Sequence, residues 1–177
     1  MVDHLKTMQV VGFKNSGKTT LIEKIAAACR KADQRVGVAK HHGHGKLDKH
    51  DLSKDTGRFR ESGAEVTAIA AGGGLEMIWE RGKERWELGD ILSFYQFLKM
   101  DIVLVEGFKQ ADLEKIVVVR NVEDFNDLRS LSNIAAVISW EDSQFEPIEG
   151  IERFHISEEE RYLRWVLTRL GVESDER

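Results

Sequence analysis

The residues best suited to chemistry form the run Gly12-Phe13-Lys14-Asn15-Ser16-Gly17-Lys18-Thr19, which has the spacing G-x-x-x-x-G-K-T. Glycines at positions 1 and 6 of this run permit backbone angles that turn successive N–H groups toward phosphate oxygens. We expect Lys18 to reach the β- and γ-phosphates, and the Thr19 hydroxyl to coordinate a Mg²⁺ that bridges them. The run therefore predicts a loop that binds the phosphates of a nucleoside triphosphate.

The loop also has to be followed by a helix, because the N-terminal end of a helix carries partial positive charge and free N–H groups. A short apolar run precedes Gly12, and residues 18–31 have helical spacing of apolar side chains. We predict that the nucleotide contacts the residues of this loop and of the first helical turn, namely Gly12, Lys14, Asn15, Ser16, Gly17, Lys18, Thr19 and Thr20.

A carboxylate that serves Mg²⁺ is expected at the end of a neighbouring strand. The run 101–107 (DIVLVEG) offers Asp101 and Glu106, which stand about 16 Å apart if the run is one strand at roughly 3.3 Å per residue. Ligands of open α/β sheets gather at the carboxyl ends of the strands, which favours Glu106 and makes Asp101 a strand-entry residue. Thr19 and Glu106 are thus predicted metal ligands, and Lys18 and Glu106 predicted catalytic residues.

A polar segment after the second predicted strand allows two functional interpretations, beside the alternative of an ordinary flexible, polar loop. It contains Lys40-His41-His42-Gly43-His44 and leads to Lys54-Asp55-Thr56-Gly57-Arg58. In the first interpretation it senses the nucleotide: Asp55 holds Mg²⁺ or orients water, as a metal ligand and catalytic residue, and Arg58 approaches phosphate. In the second the histidines bind a transition metal. Adjacent histidines in a strand point to opposite faces, which weakens the second interpretation.

The basis of nucleobase selection is harder to recognise. Ser139-Trp140-Glu141-Asp142 follows the apolar run 134–138 and loosely imitates the guanine signature N-K-x-D, without its Asn and Lys. The Asp142 carboxylate could accept hydrogen bonds from guanine N1 and the exocyclic amine. The alternative is an ordinary turn after a buried strand, and both interpretations stay open.

Composition limits the classes of protein that this chain can represent. The 177 residues carry a net charge of -5 and are 41% apolar, so we expect a folded protein without an overall attraction to nucleic acid or to anionic membranes. A single cysteine excludes an internal disulfide. We see neither a membrane-spanning run nor a signal peptide, and predict a cytoplasmic protein.

The order of the predicted elements indicates an α/β protein. We predict a single domain over 1–177: a P-loop NTPase-like three-layer sandwich with a mostly parallel central sheet and a β-hairpin extension. Strands are predicted at 8–12, 35–40, 65–71, 75–80, 84–88, 102–105, 115–120 and 134–140. Helices are predicted at 18–31, 55–62 and 91–99, with a last helix that starts at a capping box of Ser157 and Glu160 and ends at Gly171.

The predicted hairpin has an unusually apolar face. Leu75, Met77 and Trp79 alternate along the first strand, and Trp86 and Leu88 would lie opposite them if 84–88 is the second strand. The predicted helix 91–99 could cover this face within one subunit. We instead predict packing between two subunits, because soluble oligomers are most often two-fold dimers.

Four segments together resemble the molybdopterin-guanine dinucleotide biosynthesis adapter family, MobB. They are 12–20 (GFKNSGKTT), 40–44 (KHHGH), 55–64 (DTGRFRESGA) and 101–109 (DIVLVEGFK). Many nucleotide-binding proteins share the phosphate loop alone, whereas its combination with VEGFK and the histidine segment is far more selective. The resemblance covers most of the first 110 residues.

The resemblance implies a GTP-binding homodimer with weak GTPase activity that assists a partner molybdopterin guanylyltransferase. It further implies that the phosphate loop binds GTP, that Thr19 and Glu106 serve Mg²⁺, and that Asp55 lies in a region that responds to the nucleotide. Whether molybdopterin itself binds is left open. Two alternatives remain: an ATP-dependent ligase or kinase similar to dethiobiotin synthetase, and a GTPase that delivers metal during hydrogenase or urease maturation.

Overall fold

The structure is a computed structural model, and it describes residues 5–41, 55–81, 84–141 and 148–172. The chain forms two compact units: one contains residues 1–41 and 88–177, and the other residues 42–87. Each unit is described by itself below, and the predicted single domain over 1–177 stays a prediction. Within the described ranges, no helix combines the length and the apolar character that crossing a membrane requires.

The strands of the described residues follow the predicted order closely. They are β1 (Lys6–Gly12), β2 (Val36–Lys40), β3 (Val66–Ala71), β4 (Gly74–Trp79), β5 (Ile102–Glu106), β6 (Lys115–Val119), β7 (Ile134–Ser139) and β8 (Glu152–His155). The helices are α1 (Lys18–Lys31), α2 (Asp55–Glu61), α3 (Leu88–Phe97), α4 (Val122–Leu128) and α5 (Glu159–Arg169).

Six strands of the first unit form one parallel sheet in the order β2-β5-β1-β6-β7-β8. Because every pairing is parallel, the carboxyl ends of all six strands lie along the same edge. β5 and β6 are buried along their whole length, as expected of strands covered on both faces. The sheet therefore brings Gly12, Lys40, Glu106 and the chain that leaves β7 to one edge.

Helices cover both faces of this sheet, which confirms the predicted three-layer architecture. On one face, α1 and α5 pack against β1, β5, β6 and β7 in the largest apolar cluster. On the other face, α4 packs on β6 and β7, and α3 packs on β2 and β5. Val166 and Leu170 of the C-terminal helix are buried, and Gly171 adopts the left-handed conformation (φ +58°) that ends the helix, as predicted.

The second unit contains α2 and an antiparallel hairpin of β3 and β4, whose register pairs Val66 with Trp79 and Ala71 with Gly74. Gly72 and Gly73 form the two-residue turn, both at positive φ, which suits a tight hairpin. The predicted hairpin used 75–80 and 84–88 instead and was wrong in its second strand. Residues 84–87 form no strand, and Leu88 begins α3.

The partners predicted across the hairpin change accordingly. Trp86 contacts the edge of the Trp79 ring, with 4.8 Å between ring centroids, and Arg81 lies over the Trp86 ring at 3.9 Å. The residues opposite Leu75, Met77 and Trp79 belong to β3. The three glycines in a row are the sequence signal for this pairing, since they mark a turn between two strands of equal length.

Two short elements escaped the sequence analysis, and one cap was assigned to the wrong residue. α4 and β8 have only seven and four residues, too few for a clear hydrophobic period. The predicted capping box is absent: the residue before α5 is Glu158, and its carboxylate accepts a hydrogen bond from the His155 backbone N–H at 2.7 Å.

Candidate functional site

The loop between β1 and α1 has the backbone conformation of a tight anion-binding turn. Asn15 (φ +61°) and Gly17 (φ +100°) are both left-handed, and the Ser16 N–H donates to the Phe13 carbonyl at 3.3 Å. Alternation of left- and right-handed residues turns backbone N–H groups toward a common point. Lys14, Asn15, Thr19 and Thr20 are exposed, so this part of the predicted binding set is accessible to a ligand.

Gly12 packs too closely against its surroundings to carry a side chain. A Cβ at this position would lie 2.6 Å from Ser16 Oγ and closer still to the Val118 carbonyl oxygen. Ser16 is fully buried, and no hydrogen-bond partner for its hydroxyl occurs among the described residues. The start of the loop is therefore pressed onto the adjacent strand β6. Ser16, one of the predicted contact residues, is not exposed to a ligand in this structure.

The N-terminus of α1 is open to an anion. Its N-cap, Gly17, makes no side-chain cap, and the first turn contains no acidic residue. The first N–H groups of the 14-residue helix thus receive no acceptor from the N-cap side chain or from an acidic residue of the first turn. Lys18 at the first helical position donates from Nζ to the Phe13 carbonyl at 2.6 Å, so its ammonium lies over the loop.

The Lys18 ammonium sits in a mixed electrostatic environment. Burial lowers the pKa of Lys18, Glu106 opposes this shift, and the cations of Lys109 and Lys40 lower it further. Lys109 Nζ lies 4.6 Å from the centre of the Phe13 ring, which fixes this second cation beside the loop. Three lysines thus surround the loop, in the arrangement expected for binding a polyanion.

Glu106 is the acidic centre of the site. Its side chain ends β5, one strand from β1, and is only 8% exposed. Its Oε2 accepts a hydrogen bond from the Thr19 hydroxyl at 3.2 Å and lies 3.3 Å from the Lys40 ammonium. Asp101, the other acid of this run, accepts from the Arg35 backbone N–H at 2.6 Å at the opposite edge of the sheet, so its predicted strand-entry role is confirmed.

Thr19 and Glu106 suit a hard divalent cation. Mg²⁺ prefers oxygen ligands and is commonly held by one carboxylate, a hydroxyl and substrate phosphates. Here a buried carboxylate and a threonine hydroxyl already share one hydrogen bond beside the loop. The two predicted ligands are therefore close enough to serve one ion.

The turn after Glu106 is held by a buried glutamine that the sequence analysis missed. Gln9 in β1 donates from Nε2 to the carbonyls of Gly107 and Phe108 at 2.5 and 2.7 Å. Both of those residues have positive φ, a conformation that costs energy at Phe108. The sequence feature that could have indicated this role is a polar residue inside an otherwise apolar strand.

Two other cationic residues of the site belong to the sequence motifs but have no predicted role of their own. Lys40 ends β2 and Lys109 follows the turn after β5, so both reach the carboxyl edge of the sheet next to Lys18. The parallel order of β2, β5 and β1 juxtaposes them, and this order is a tertiary property that local spacing does not reveal.

The remaining predicted site residues are Asp55, Asp142 and the histidines of the segment 41–44. Asp55 begins α2 in the second unit. His42, His44 and Asp142 lie outside the described residues, and the described His41 packs its ring on Phe108 with 4.7 Å between centroids. Among the described residues, no group of three or more His, Cys, Asp or Glu side chains could hold a metal ion.

The sheet order, the glycine-rich β1–α1 turn and the helices on both faces define a P-loop NTPase-like α/β fold. The sequence profile of the family described as "Molybdopterin guanine dinucleotide synthesis protein B" (MobB) matches residues 7–140. The chain therefore belongs to the MobB family, as the resemblance had predicted.

Individual relatives agree with this assignment. A Bacillus subtilis protein named "Probable molybdopterin-guanine dinucleotide biosynthesis adapter protein" is 38% identical over 168 residues, covering 94% of each chain. An Escherichia coli adapter protein is 33% identical over 110 residues, covering 62% of each. The crystal structure of Bacillus subtilis MobB matches with a TM-score of 0.79 at 34% identity, covering 96% of this chain and 100% of that one. A Bacillus stearothermophilus MobB homolog has a TM-score of 0.76 at 36% identity, with 94% and 99% covered.

Proposed function

We propose that this chain binds a purine nucleoside triphosphate, GTP in the first instance, with Mg²⁺, and acts as an adapter for a partner molybdopterin guanylyltransferase. The adapter role is supported by the family and by the names of the relatives in Bacillus subtilis and Escherichia coli. These names favour an adapter over the ligase and the metal-delivery GTPase that the sequence left open.

One observation carries the nucleotide proposal. The uncapped N-terminus of α1, the Lys18 ammonium and the Thr19–Glu106 pair converge on a single exposed loop at the carboxyl edge of the sheet. This combination offers backbone N–H groups and cations to phosphate, and oxygen ligands to a divalent cation. Each of these parts alone occurs in proteins that bind no nucleotide, but their convergence fits a metal–triphosphate.

The residues of the chain have separable tasks in this proposal. The loop amides and Lys18 hold the β- and γ-phosphates, Thr19 and Glu106 serve Mg²⁺, and Lys40 and Lys109 add positive charge around the same group. The sequence offers no clear water-orienting glutamine or arginine finger, so we expect hydrolysis to be slow. We therefore propose that the nucleotide state, rather than turnover, is what the partner recognises.

The test is a reconstituted guanylyl transfer to molybdopterin by the partner enzyme, with the parent protein or with Lys18→Ala. We expect the parent to raise the yield of the guanine dinucleotide product. Lys18→Ala should lose most of that stimulation, because removal of a charge-assisted donor costs about 1.5–3 kcal/mol of binding, or at least tenfold in affinity.

Lys31→Ala is the matched control, since Lys31 lies on the same helix and is exposed in the last turn, far from the loop. It should stimulate as well as the parent does. Equal stimulation by all three proteins would contradict a role for the phosphate loop, and no stimulation by the parent would contradict the adapter role.

We further propose that a second copy of the chain covers the hairpin. Six apolar side chains share one face of β3 and β4, and all are exposed: Val66, Ala68, Ala70, Leu75, Met77 and Trp79. A contiguous apolar face of this kind is typical of a protein–protein interface. Homodimers supply such an interface from a single gene product and are mostly two-fold symmetric.

A further inference from the structure

Trp140 lies against the phosphate loop from the side opposite to Glu106. Its indole N–H donates to the Ser16 carbonyl at 2.8 Å. Three of its ring atoms lie 3.4–3.8 Å from the position that a Cβ would take on Gly17, so the ring is in contact with the backbone where the loop becomes α1. These are ordinary van der Waals distances, and what favours glycine at this position is its φ of +100°.

The position of Trp140 is fixed by its backbone as well as by its side chain. Its own N–H donates to the Val119 carbonyl at 3.1 Å, and its carbonyl oxygen lies 3.0 Å from Nε2 of His155. Trp140 is thus tied to β6, to β8 and to the phosphate loop. Although it is held at these three points, Trp140 remains half exposed (50%).

The order of the strands places different residues on the two sides of the phosphate loop. β5 and β2, which carry Glu106 and Lys40, lie on one side of β1, whereas β7, which leads into Trp140, lies two strands away on the other side. The cations and the candidate metal ligands therefore stand on the first side of the phosphate loop. Two strand spacings, about 10 Å in all, separate β1 from β7 on the second side.

The two ends of a nucleoside triphosphate differ in a corresponding way. Its metal-binding terminal phosphates are at one end, and its base and ribose are at the other. With the terminal phosphates directed to Lys18, Thr19 and Glu106, the nucleoside end extends to the opposite side of the loop, where the exposed indole ring is. A fixed, half-exposed aromatic ring is a surface on which a purine can stack.

On this basis we propose that Trp140 is a nucleoside-binding residue, whose ring packs on the base and ribose end of the bound purine nucleotide. This inference rests on the proposed function, because it requires that triphosphates bind at the loop. The alternative is that Trp140 only supports the conformation of the phosphate loop. Such a structural role would affect the affinity for every phosphate ligand alike, whereas a stacking surface affects the affinity only for ligands that have a nucleoside.

The test compares two probes, GTP and inorganic tripolyphosphate, each titrated with Mg²⁺ into the parent, Trp140→Phe and Trp140→Gln. Phe keeps an aromatic face and loses the indole donor, whereas Gln keeps an amide donor and loses the ring. The measured quantity is the ratio of the tripolyphosphate Kd to the GTP Kd, which isolates the contribution of the nucleoside. A second readout is the urea midpoint of each variant, which shows that it folds.

We expect this ratio to fall about tenfold in Trp140→Gln, at the low end of what stacking of a base on an aromatic ring contributes, and to stay within about threefold of the parent in Trp140→Phe. A parallel loss of affinity for both probes, or an unchanged ratio in Trp140→Gln, would overturn the inference while leaving the proposed function intact. Failure of the parent to bind either probe would overturn both. If Trp140→Gln did not fold, an unchanged ratio in Trp140→Leu would overturn the inference equally well.

Discussion

Lys40 Nζ lies 3.3 Å from Glu106 Oε2, the same carboxylate oxygen that accepts the Thr19 hydroxyl. A cation thus already lies against this oxygen, and in the proposed site Mg²⁺ would have to compete with Lys40 for it. The pair is partly exposed, with 53% of the Lys40 side chain accessible, and its strength is therefore modest, at most about 1 kcal/mol.

Replacement of Lys40 by Met should accordingly strengthen Mg²⁺ binding. We expect the apparent Mg²⁺ affinity at saturating nucleotide to rise by up to about fivefold, the equivalent of 1 kcal/mol. Calorimetric titration of Mg²⁺ measures this directly. Lys31→Met, which removes an exposed charge from the far end of α1, should leave the Mg²⁺ affinity unchanged. A weaker Mg²⁺ affinity in Lys40→Met would show that the ammonium assists metal binding instead of opposing it.

Gly12→Ala should destabilise the protein by about 1–3 kcal/mol, because the added methyl group overlaps Ser16 Oγ and the Val118 carbonyl oxygen. Gly89→Ala is the matched control: a Cβ at this position in the first turn of α3 would meet no atom within 4 Å. There the change should be neutral or should stabilise by up to about 1 kcal/mol, since Ala is the better helix former. Urea unfolding measures the change in the free energy of unfolding, which should be negative for Gly12→Ala and zero or positive for Gly89→Ala. Equal midpoints of the two variants would show that the loop can rearrange to accept the methyl group.

Cys29 provides a pH-dependent test of the core beneath the sheet. Burial in the cluster of α1, α5 and the central strands raises the pKa of the Cys29 thiol to about 11. In the unfolded chain a thiol titrates near 8.5. The raised pKa means that the unfolded state loses this proton first, so the stabilising contribution is complete below about pH 8.5 and is lost as the pH rises through about 11.

The comparison with Cys29→Ala isolates this contribution from the titration of other groups. The parent should be more stable than the variant at pH 7.5, because the variant leaves a cavity, and its advantage should shrink between pH 9 and pH 11. Urea unfolding at intervals across this range measures the difference. An advantage that stays constant over the whole range would mean that the thiol titrates normally in the folded state.

The dimer proposal can be tested with one residue from each face of the hairpin. Met77 lies on the apolar face and Ile69 on the opposite one, and their exposures are nearly equal, at 42% and 44%. Met77→Lys should shift the protein to a monomer in sedimentation velocity at micromolar concentration. Ile69→Lys should leave the dimer intact, and its ammonium faces Glu76 across the hairpin. A monomeric parent, or equal effects of the two substitutions, would refute this interface.

The sequence predicted the regular parts of the fold well because their signals are local. The bounds of α1 agreed at both ends, since a glycine turn precedes the helix and its apolar positions repeat with helical period. The position of Glu106 at a strand end followed from a buried apolar run that a glycine terminates. The hairpin failed for a related reason: residues 84–88 alternate like a strand, but the three glycines at 72–74 had already joined two strands of equal length.

The parts of the site that escaped prediction depend on tertiary contacts. The pairing of Lys40 with Glu106 requires β2 to lie beside β5, although the two strands are separated by more than sixty residues. The sequence predicted no role for Trp140, and its contact with Gly17 requires β7 to lie two strands from β1. Neither strand order can be inferred from spacing along the chain.

The central claim is that the loop ending at Thr19 binds a nucleoside triphosphate. The most direct measurement is calorimetric titration of GTP and of ATP, each with Mg²⁺, into the parent protein and into Lys18→Ala. We predict one site per chain for GTP, weaker binding of ATP, and a loss of at least tenfold in GTP affinity in the variant. Absence of binding heat for both nucleotides in the parent, or equal GTP affinities in the parent and Lys18→Ala, would contradict the claim.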